Sequence, residues 1–198
     1  MRRAFVAIGG LALALAVALV ARSMRPRPPL PVYGQVPDFH LVDQRGAPFA
    51  TASMLGHVSV VDFVFTHCRS SCPRLTARMG ELQRRLGQDG SDARLVSFSV
   101  DPENDTPPVL ADYAAKAGAD PARWIFVTGP VDDVIRTVVQ GFKVSAAKVT
   151  SDAGDNDVVH GDWFVVLDAA GRIRGYYPTE APADFARLVD DVERLGKR

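Results

Sequence analysis

The sequence predicts an α/β domain, a central mixed sheet flanked by helices, preceded by one N-terminal transmembrane helix. Three observations predict it. The stretch from Ala4 to Ala21 carries no charged residue. A proline-rich stretch follows it. From about Val36 onward, short β-branched and aromatic runs alternate with segments of helical period.

The apolar run is bracketed by Arg2 and Arg3 before it and by Arg22, Arg25 and Arg27 after it. As a helix its 18 residues rise about 27 Å, close to the roughly 30 Å of a hydrocarbon core. A cleaved signal has the same outline, with Ala16, Val17 and Ala18 as a cleavage candidate. The run is longer than the apolar region such signals carry, so an uncleaved anchor is expected over residues 1–23. Arginines at both ends leave the positive-inside rule without a clear answer. The short head is the easier end to leave in the cytoplasm, which places the domain outside it.

Residues 24–37 hold five prolines and little apolar periodicity. They read as an extended tether, because proline stops a helix and stiffens the chain toward polyproline II. The folded domain is expected over 38–198.

Residues 58–65 have the near-continuous apolarity of a central strand and lead straight into the cysteines. After Pro73, Leu75, Met79, Leu82 and Leu86 stand at helical spacing, with Gly87 as the stop. A second strand is expected over 94–100. A helix follows from Pro107 to Ala117, with Asp105 and Thr106 as cap candidates and Gly118 at its end. A third strand over 124–127 and a helix over 131–140 come next, then a polar stretch over 145–157. Strands over 163–167 and 172–176, joined by a tight turn at 168–171, make a hairpin. A helix over 183–195 closes the chain. The order β-α-β-α-β-α-β-β-α implies parallel crossovers with a terminal antiparallel hairpin. A strand entering a thiol loop that opens a helix is the arrangement of the thioredoxin-like fold.

Composition limits what such a domain does. Lys+Arg and Asp+Glu both number 23, giving a formal charge of zero, which argues against nucleic acid as a partner. A chain of 198 residues with 47% hydrophobic content builds an ordinary core without disulfide staples. Its only two cysteines, Cys68 and Cys72, are therefore not needed for folding.

Pro73 favours a first helical turn, which puts Cys72 near the helix start and Cys68 outside it. The helix N-terminus and the adjacent His67 and Arg69 all favour thiolate. At this spacing the pair can close a disulfide, hold a soft metal with a third ligand, or exchange between those states. Structural zinc requires four protein ligands, and there is no second cysteine pair. Two thiolates and one imidazole suit copper. Among the histidines, His67 adjoins Cys68 and is expected to point away from it, and His40 and His57 have no evident path to the loop. His160 stands at the mouth of the hairpin expected beside the first strand.

Three motifs stand in order along the chain: Phe65-Thr66-His67-Cys68-x-x-x-Cys72-Pro73, then Ser97-Phe98-Ser99-Val100-Asp101-Pro102-Glu103-Asn104-Asp105-Thr106-Pro107, then Val159-His160 followed by a strand and Asp168-x-x-Gly171. Together they resemble the Sco/SenC family of copper-binding, thioredoxin-like proteins over most of residues 36–195. The resemblance implies a metal site of two Cys and one His, which map onto Cys68, Cys72 and His160. It implies a copper metallochaperone that binds Cu(I) or Cu(II) and assists assembly of the dinuclear copper centre of cytochrome c oxidase. Its partners would be the copper-acceptor subunit of that oxidase and other periplasmic copper carriers. Its place would be the cell inner membrane, single-pass, with the soluble domain on the periplasmic side. The alternative is a membrane-tethered thiol–disulfide oxidoreductase that reduces the copper-ligand cysteines of a partner. Cys68, on an exposed loop, would then be the attacking thiol and His160 dispensable.

Two positions depart from the family pattern. Arg69 stands where members commonly carry proline, and Val159 where many carry aspartate, leaving Asp157 or Asp162 to partner the histidine. Residues 101–108 read as turn and helix-start chemistry, which the resemblance would make a docking loop beside the metal.

Overall fold

The computed structural model describes residues 27–68, 71–144, 146–150, 156–160 and 163–197; within 146–150 and 156–160 it describes the backbone alone. The expected N-terminal helix, Arg69 and Asp162 lie outside the described residues. Among the described residues no helix is long and apolar enough to cross a membrane. The chain divides into two units, Met1–Leu30 and Pro31–Arg198. The described part of the first, residues 27–30, has no regular structure.

The second unit runs through β1 (Gly34–Gln35), β2 (His40–Asp43), β3 (Pro48–Ala50), β4 (Ser59–Val64), α1 (Cys72–Gln88), β5 (Arg94–Ser99), α2 (Pro107–Ala117) and β6 (Trp124–Thr128). It continues through α3 (Val131–Ile135), which passes into a π-helical turn over Arg136–Gly141, then β7 (Ala146–Thr150), β8 (Asn156–His160), β9 (Trp163–Leu167), β10 (Arg172–Pro178) and α4 (Pro182–Gly196). Eight strands form one mixed sheet in the order β1-β10-β9-β4-β5-β6-β2-β3, and β7 pairs with β8 in a separate two-stranded sheet. β4, β5 and β6 are parallel, while β9 lies antiparallel along the other edge of β4.

β4 reads Ser59-Val60-Val61-Asp62-Phe63-Val64, and every residue of it is buried. That follows from its place between β5 and β9 with helices on the sheet, which removes the polar alternation of a solvent-facing strand. The period of two still sorts its side chains. Val61 and Phe63 join Val96, Phe98, Val127, Val134, Val138 and Phe142 in the core under α3. The other face lies under α1 and α2, where Leu75, Met79, Leu82, Leu110 and Trp124 are fully buried.

The expected strands and helices of residues 58–140 and 163–196 are present, with two differences, and further strands lie outside those ranges. Helix α1 does not stop at Gly87; it runs to Gln88 and is ended by Asp89 and Gly90, where φ is 66°. The expected helix over 131–140 is α-helical only to Ile135. The polar stretch over 145–157 contributes strand β7 and the start of β8, and a further three strands, β1 to β3, precede β4. The β2–β3 turn is built by Asp43, whose carboxylate accepts from the Arg45 and Ala47 backbone N–H groups, with Gly46 at φ 76°.

A second buried aspartate fixes the β9–β10 turn. Asp168 accepts from the Ala170 and Arg172 N–H groups and pairs with Arg172 Nε at 2.9 Å and Arg174 Nη1 at 2.7 Å. Arg174 Nε also donates to the Pro31 carbonyl, pinning the start of the unit against the hairpin.

Candidate metal centre

In an open α/β sheet, chemistry collects at the carboxyl ends of parallel strands, at the strand from which connections depart to opposite sides. Here that strand is β4, flanked by β5 on one side and β9 on the other. Its carboxyl end delivers the thiol loop.

Ser71 is the N-cap of α1, Cys72 its first residue and Pro73 the next. Proline suits that turn because its φ is preset and the N–H it lacks has no helical acceptor there. The Cys72 N–H has none either, and it donates to Cys68 Sγ at 3.3 Å. The four-residue spacing thus folds the first sulfur back onto the positive end of the helix. Ser71 Oγ lies 4.0 Å from the same sulfur, and Cys68 N–H donates to the Phe65 carbonyl.

Both cysteines are thiols. Cys72 is completely buried and Cys68 is 9% exposed, so the expectation of an exposed attacking thiol at Cys68 is not met. The expectation that the helix end favours thiolate at both positions fails at Cys72. Burial pushes its thiol well above the usual range, the neighbouring Cys68 sulfur and Asp62 carboxyl push the same way, and a backbone hydrogen bond at Phe65 only partly opposes them.

The loop is held from the β5–α2 connection. Asp105, fully buried, accepts the Thr66 hydroxyl at 2.6 Å and the Thr66 N–H at 3.2 Å, and its other oxygen accepts the Ser99 hydroxyl at 2.6 Å. Burial raises the Asp105 carboxyl, while these hydrogen bonds favour its charged form. Asp101 sits at the start of the same connection; its N–H donates to Ser99 Oγ, and it accepts from Asn104.

A second polar cluster lies in the same layer. Asp62 of β4 is in register with Ser97 of β5, whose hydroxyl donates to Asp62 Oδ1 at 2.5 Å. Trp124 Nε1 donates in turn to Ser97 Oγ at 2.8 Å. Asp62 Oδ2 has no hydrogen-bond partner among the described residues. Burial pushes this carboxyl from 3.8 up to about 7 against the pull of Ser97. Nearby, Tyr113 of α2 shares a 2.7 Å hydrogen bond with Thr76 of α1, and burial raises its hydroxyl to about 12.

The histidines fall in separate places. His40 is exposed on β2, and His57 stands 3.4 Å from Asp92. His67 is exposed, its Nδ1 3.3 Å from the Thr66 hydroxyl. His160 closes β8, its backbone opposite Ala146; its side chain and those of Asp157 and Val159 lie outside the described residues. The structure therefore brings Cys68 and Cys72 together, and among the described residues no third His, Cys, Asp or Glu completes a metal-binding group with them. Sequence reasoning missed the roles of Asp62, Thr66 and Asp105. The signal for Asp62 was available: a carboxylate interrupting an otherwise apolar central strand.

The sequence profile of the SCO1/SenC family matches residues 32–196. The chain is 32% identical over 164 residues to the SCO1 protein homolog of Bacillus subtilis, covering 82% of this chain and 83% of that one. It is similar to the structure of BsSco, described as a member of the Sco family of cytochrome c oxidase assembly proteins with a disulfide switch, at TM-score 0.74 and 31% identity over 87% of this chain and 99% of the other. It is similar also to Bradyrhizobium japonicum ScoI, solved with copper bound, at TM-score 0.69 and 25% identity over 81% of this chain and 99% of the other. The mixed sheet, the strand–thiol loop–helix unit and these likenesses agree on a thioredoxin-like fold, and the chain belongs to the SCO1/SenC family.

Proposed function

We propose that this chain is a copper carrier in which Cys68, Cys72 and His160 hold one copper ion as cargo. The observation that carries this reading is the pair of sulfurs gathered at the first turn of α1, with a backbone N–H aimed at one of them. Thiolates are soft donors that suit Cu(I), and a site with two of them and an imidazole suits either copper oxidation state better than it suits structural zinc. His160 is supported by chain connectivity. β9 runs antiparallel to β4, so Trp163 begins at the end of the sheet where β4 releases the thiol loop. Three residues span at most about 11 Å, which keeps His160 near that end.

The copper-bound relative and the relative assigned to cytochrome c oxidase assembly support a recipient in that oxidase, its copper-acceptor subunit. Anchoring by residues 1–23, a tether over 24–37 and a domain on the periplasmic side belong to the same proposal, supported by the length of the uncharged run and by the prolines that follow it. Binding displaces thiol protons, so copper affinity falls as pH falls.

The oxidoreductase reading uses the same sulfurs without His160. The burial of both thiols argues against it, since an attacking thiolate must reach its target. Titration of reduced protein with Cu(I) against a competing chelator tests the carrier. One copper per chain is expected, with loss in Cys68→Ser and Cys72→Ser and weaker binding in His160→Ala. No uptake, or unchanged binding by His160→Ala, refutes the three-ligand site. Transfer to the isolated copper-binding domain of the oxidase subunit tests the recipient.

A further inference from the structure

The first turn of α1 is weakly held by its own residues. Ser71 at the N-cap makes no side-chain hydrogen bond, and the turn contains no acidic residue to meet the helix N–H groups. Helix starts of this kind fray. Yet this turn carries Cys72, whose N–H draws Cys68 Sγ in to 3.3 Å. What the turn lacks inside the helix must come from outside it.

It comes from one neighbouring element. Thr66, two residues before Cys68, donates its hydroxyl and its N–H to Asp105, which leads into α2. Thr76 stands four residues after Cys72, on the same face of α1 one turn along. It shares a 2.7 Å hydrogen bond with the hydroxyl of Tyr113, within α2. Asp105 and Tyr113 thus hold the thiol segment on both sides of the cysteine pair.

Those two residues are rigidly joined. The Asp101 carbonyl accepts the Asn104 and Asp105 N–H groups, and Pro107 and Pro108 preset the start of α2. From Pro107 to Tyr113 the helix rises about 9 Å. The Tyr113 ring sits edge-on against Phe126 at 5.9 Å, and Phe126 stacks on buried Trp124 at 5.2 Å. A phenylalanine would make the same ring contacts, so what the tyrosine adds is its bond to Thr76. A second link joins the same two helices far from the sulfurs. Gln83, about 16 Å along α1 from Cys72, bonds the Gly118 carbonyl and the Asp120 N–H beyond α2.

We propose that Asp105 and Tyr113 form a two-point clamp on the thiol segment, and that Tyr113, acting through Thr76, is a positioning residue for the copper-holding sulfurs. The inference rests on Cys68 and Cys72 being the copper-holding pair. Asp105 fixes where the chain enters the thiol loop. Tyr113 fixes the rotation of the first turn of α1 and stops it from unwinding. With both in place the Cys72 N–H stays on Cys68 Sγ, and the two sulfurs are arranged before copper arrives. Such a pair releases its ion slowly, because opening the segment first breaks a hydrogen bond.

The test uses the full chain in detergent micelles, reduced and loaded with Cu(I), with release followed after excess bathocuproine disulfonate is added. Tyr113→Phe is expected to release copper about fivefold faster than wild type, the factor that one ordinary hydrogen bond supplies. Thr76→Val is expected to match it, and the double variant to be no faster than either single one. Thr76→Ser, which keeps a hydroxyl, should restore slow release, and Gln83→Ala should leave the rate alone. In reduced, copper-free Tyr113→Phe, amide hydrogen exchange at Cys72 should quicken by a similar factor, while Val165 and Val166 of β9 keep wild-type rates. An unchanged release rate in Tyr113→Phe, additive effects of the two substitutions, or a Thr76→Ser as fast as Thr76→Val overturns the proposal. Equal acceleration in Gln83→Ala, or equally faster exchange in β9, overturns it too, since Tyr113 would then be a general prop of the fold. Failure of wild-type protein to bind copper sinks the carrier reading alone, and the exchange rates, measured without metal, then decide the clamp.

Discussion

Replacing Asp62 by asparagine should make the protein more stable at alkaline pH than at acid pH, relative to wild type. The carboxyl is fully buried and its proton affinity rises from 3.8 to about 7 on folding. The folded chain thus holds this proton roughly a thousandfold more tightly than the unfolded chain, which corresponds to about 4 kcal/mol. Because the folded value is the higher one, the stabilisation is complete below 3.8 and is lost as pH rises through 7. Part of it has gone by pH 5, where unfolded chains are already ionised, leaving roughly 2–3 kcal/mol to be lost between about pH 5 and pH 8. Asparagine keeps the shape and the acceptor for Ser97 but has nothing to ionise. Urea unfolding of reduced, metal-free wild type and Asp62→Asn at the two pH values should show the difference moving in favour of the variant, by about 1 M or more in midpoint. A difference that stays constant with pH, or moves toward wild type, refutes the burial argument.

Asp105→Ala leaves the Thr66 N–H, the Thr66 hydroxyl and the Ser99 hydroxyl without their acceptor. It should cost roughly 2 kcal/mol or more by chemical denaturation and speed copper release, with Asp105→Asn intermediate. Burial and the raised thiol should make Cys72 at least ~10-fold slower than Cys68 to react with iodoacetamide in the folded, reduced protein, as peptide mapping would show. Phe63→Ala, which empties a site between the Phe98 and Phe142 rings, should destabilise by about 3–5 kcal/mol in urea unfolding without changing copper stoichiometry.

The elements that could be read from sequence were those whose own residues settle the matter. β4 announces itself by six buried residues in a row, and α1 by Leu75, Met79, Leu82 and Leu86 on one stripe. β2 and β3 hold four and three residues, too few for a period to show, and their pairing depends on Asp43 closing the turn. β7 and β8 lie among Asp, Ser and Gly, where composition argues for a loop and only the strand partner argues otherwise. Gly87 failed as a stop because a glycine ends a helix only where the backbone turns left-handed, and that happens at Gly90. Within the site, spacing revealed the two cysteines. Asp105 was legible as a helix cap, yet its side chain instead holds a threonine 39 positions earlier. No local pattern carries a bond of that length.

Asp62 shows how the same strand serves fold and chemistry at once. β4 places Val61 and Phe63 in the aromatic core under α3, and Asp62 on the face it shares with Ser97 and Trp124. A register slip of one residue would exchange those faces, burying the carboxylate among Phe98 and Phe142 and turning Phe63 toward Ser97. The apolar core therefore enforces the register, and the register sets both the carboxyl beneath the thiol layer and the point at which the chain leaves the sheet toward Cys68. Loss of Phe63 would loosen that constraint, and so its effect should reach the ionisation of Asp62 as well as the unfolding midpoint. If Phe63→Ala lowers stability and leaves the pH dependence of unfolding between about pH 5 and pH 8 untouched, the carboxyl is held in place by its hydrogen bonds alone and the packing argument for its position is wrong.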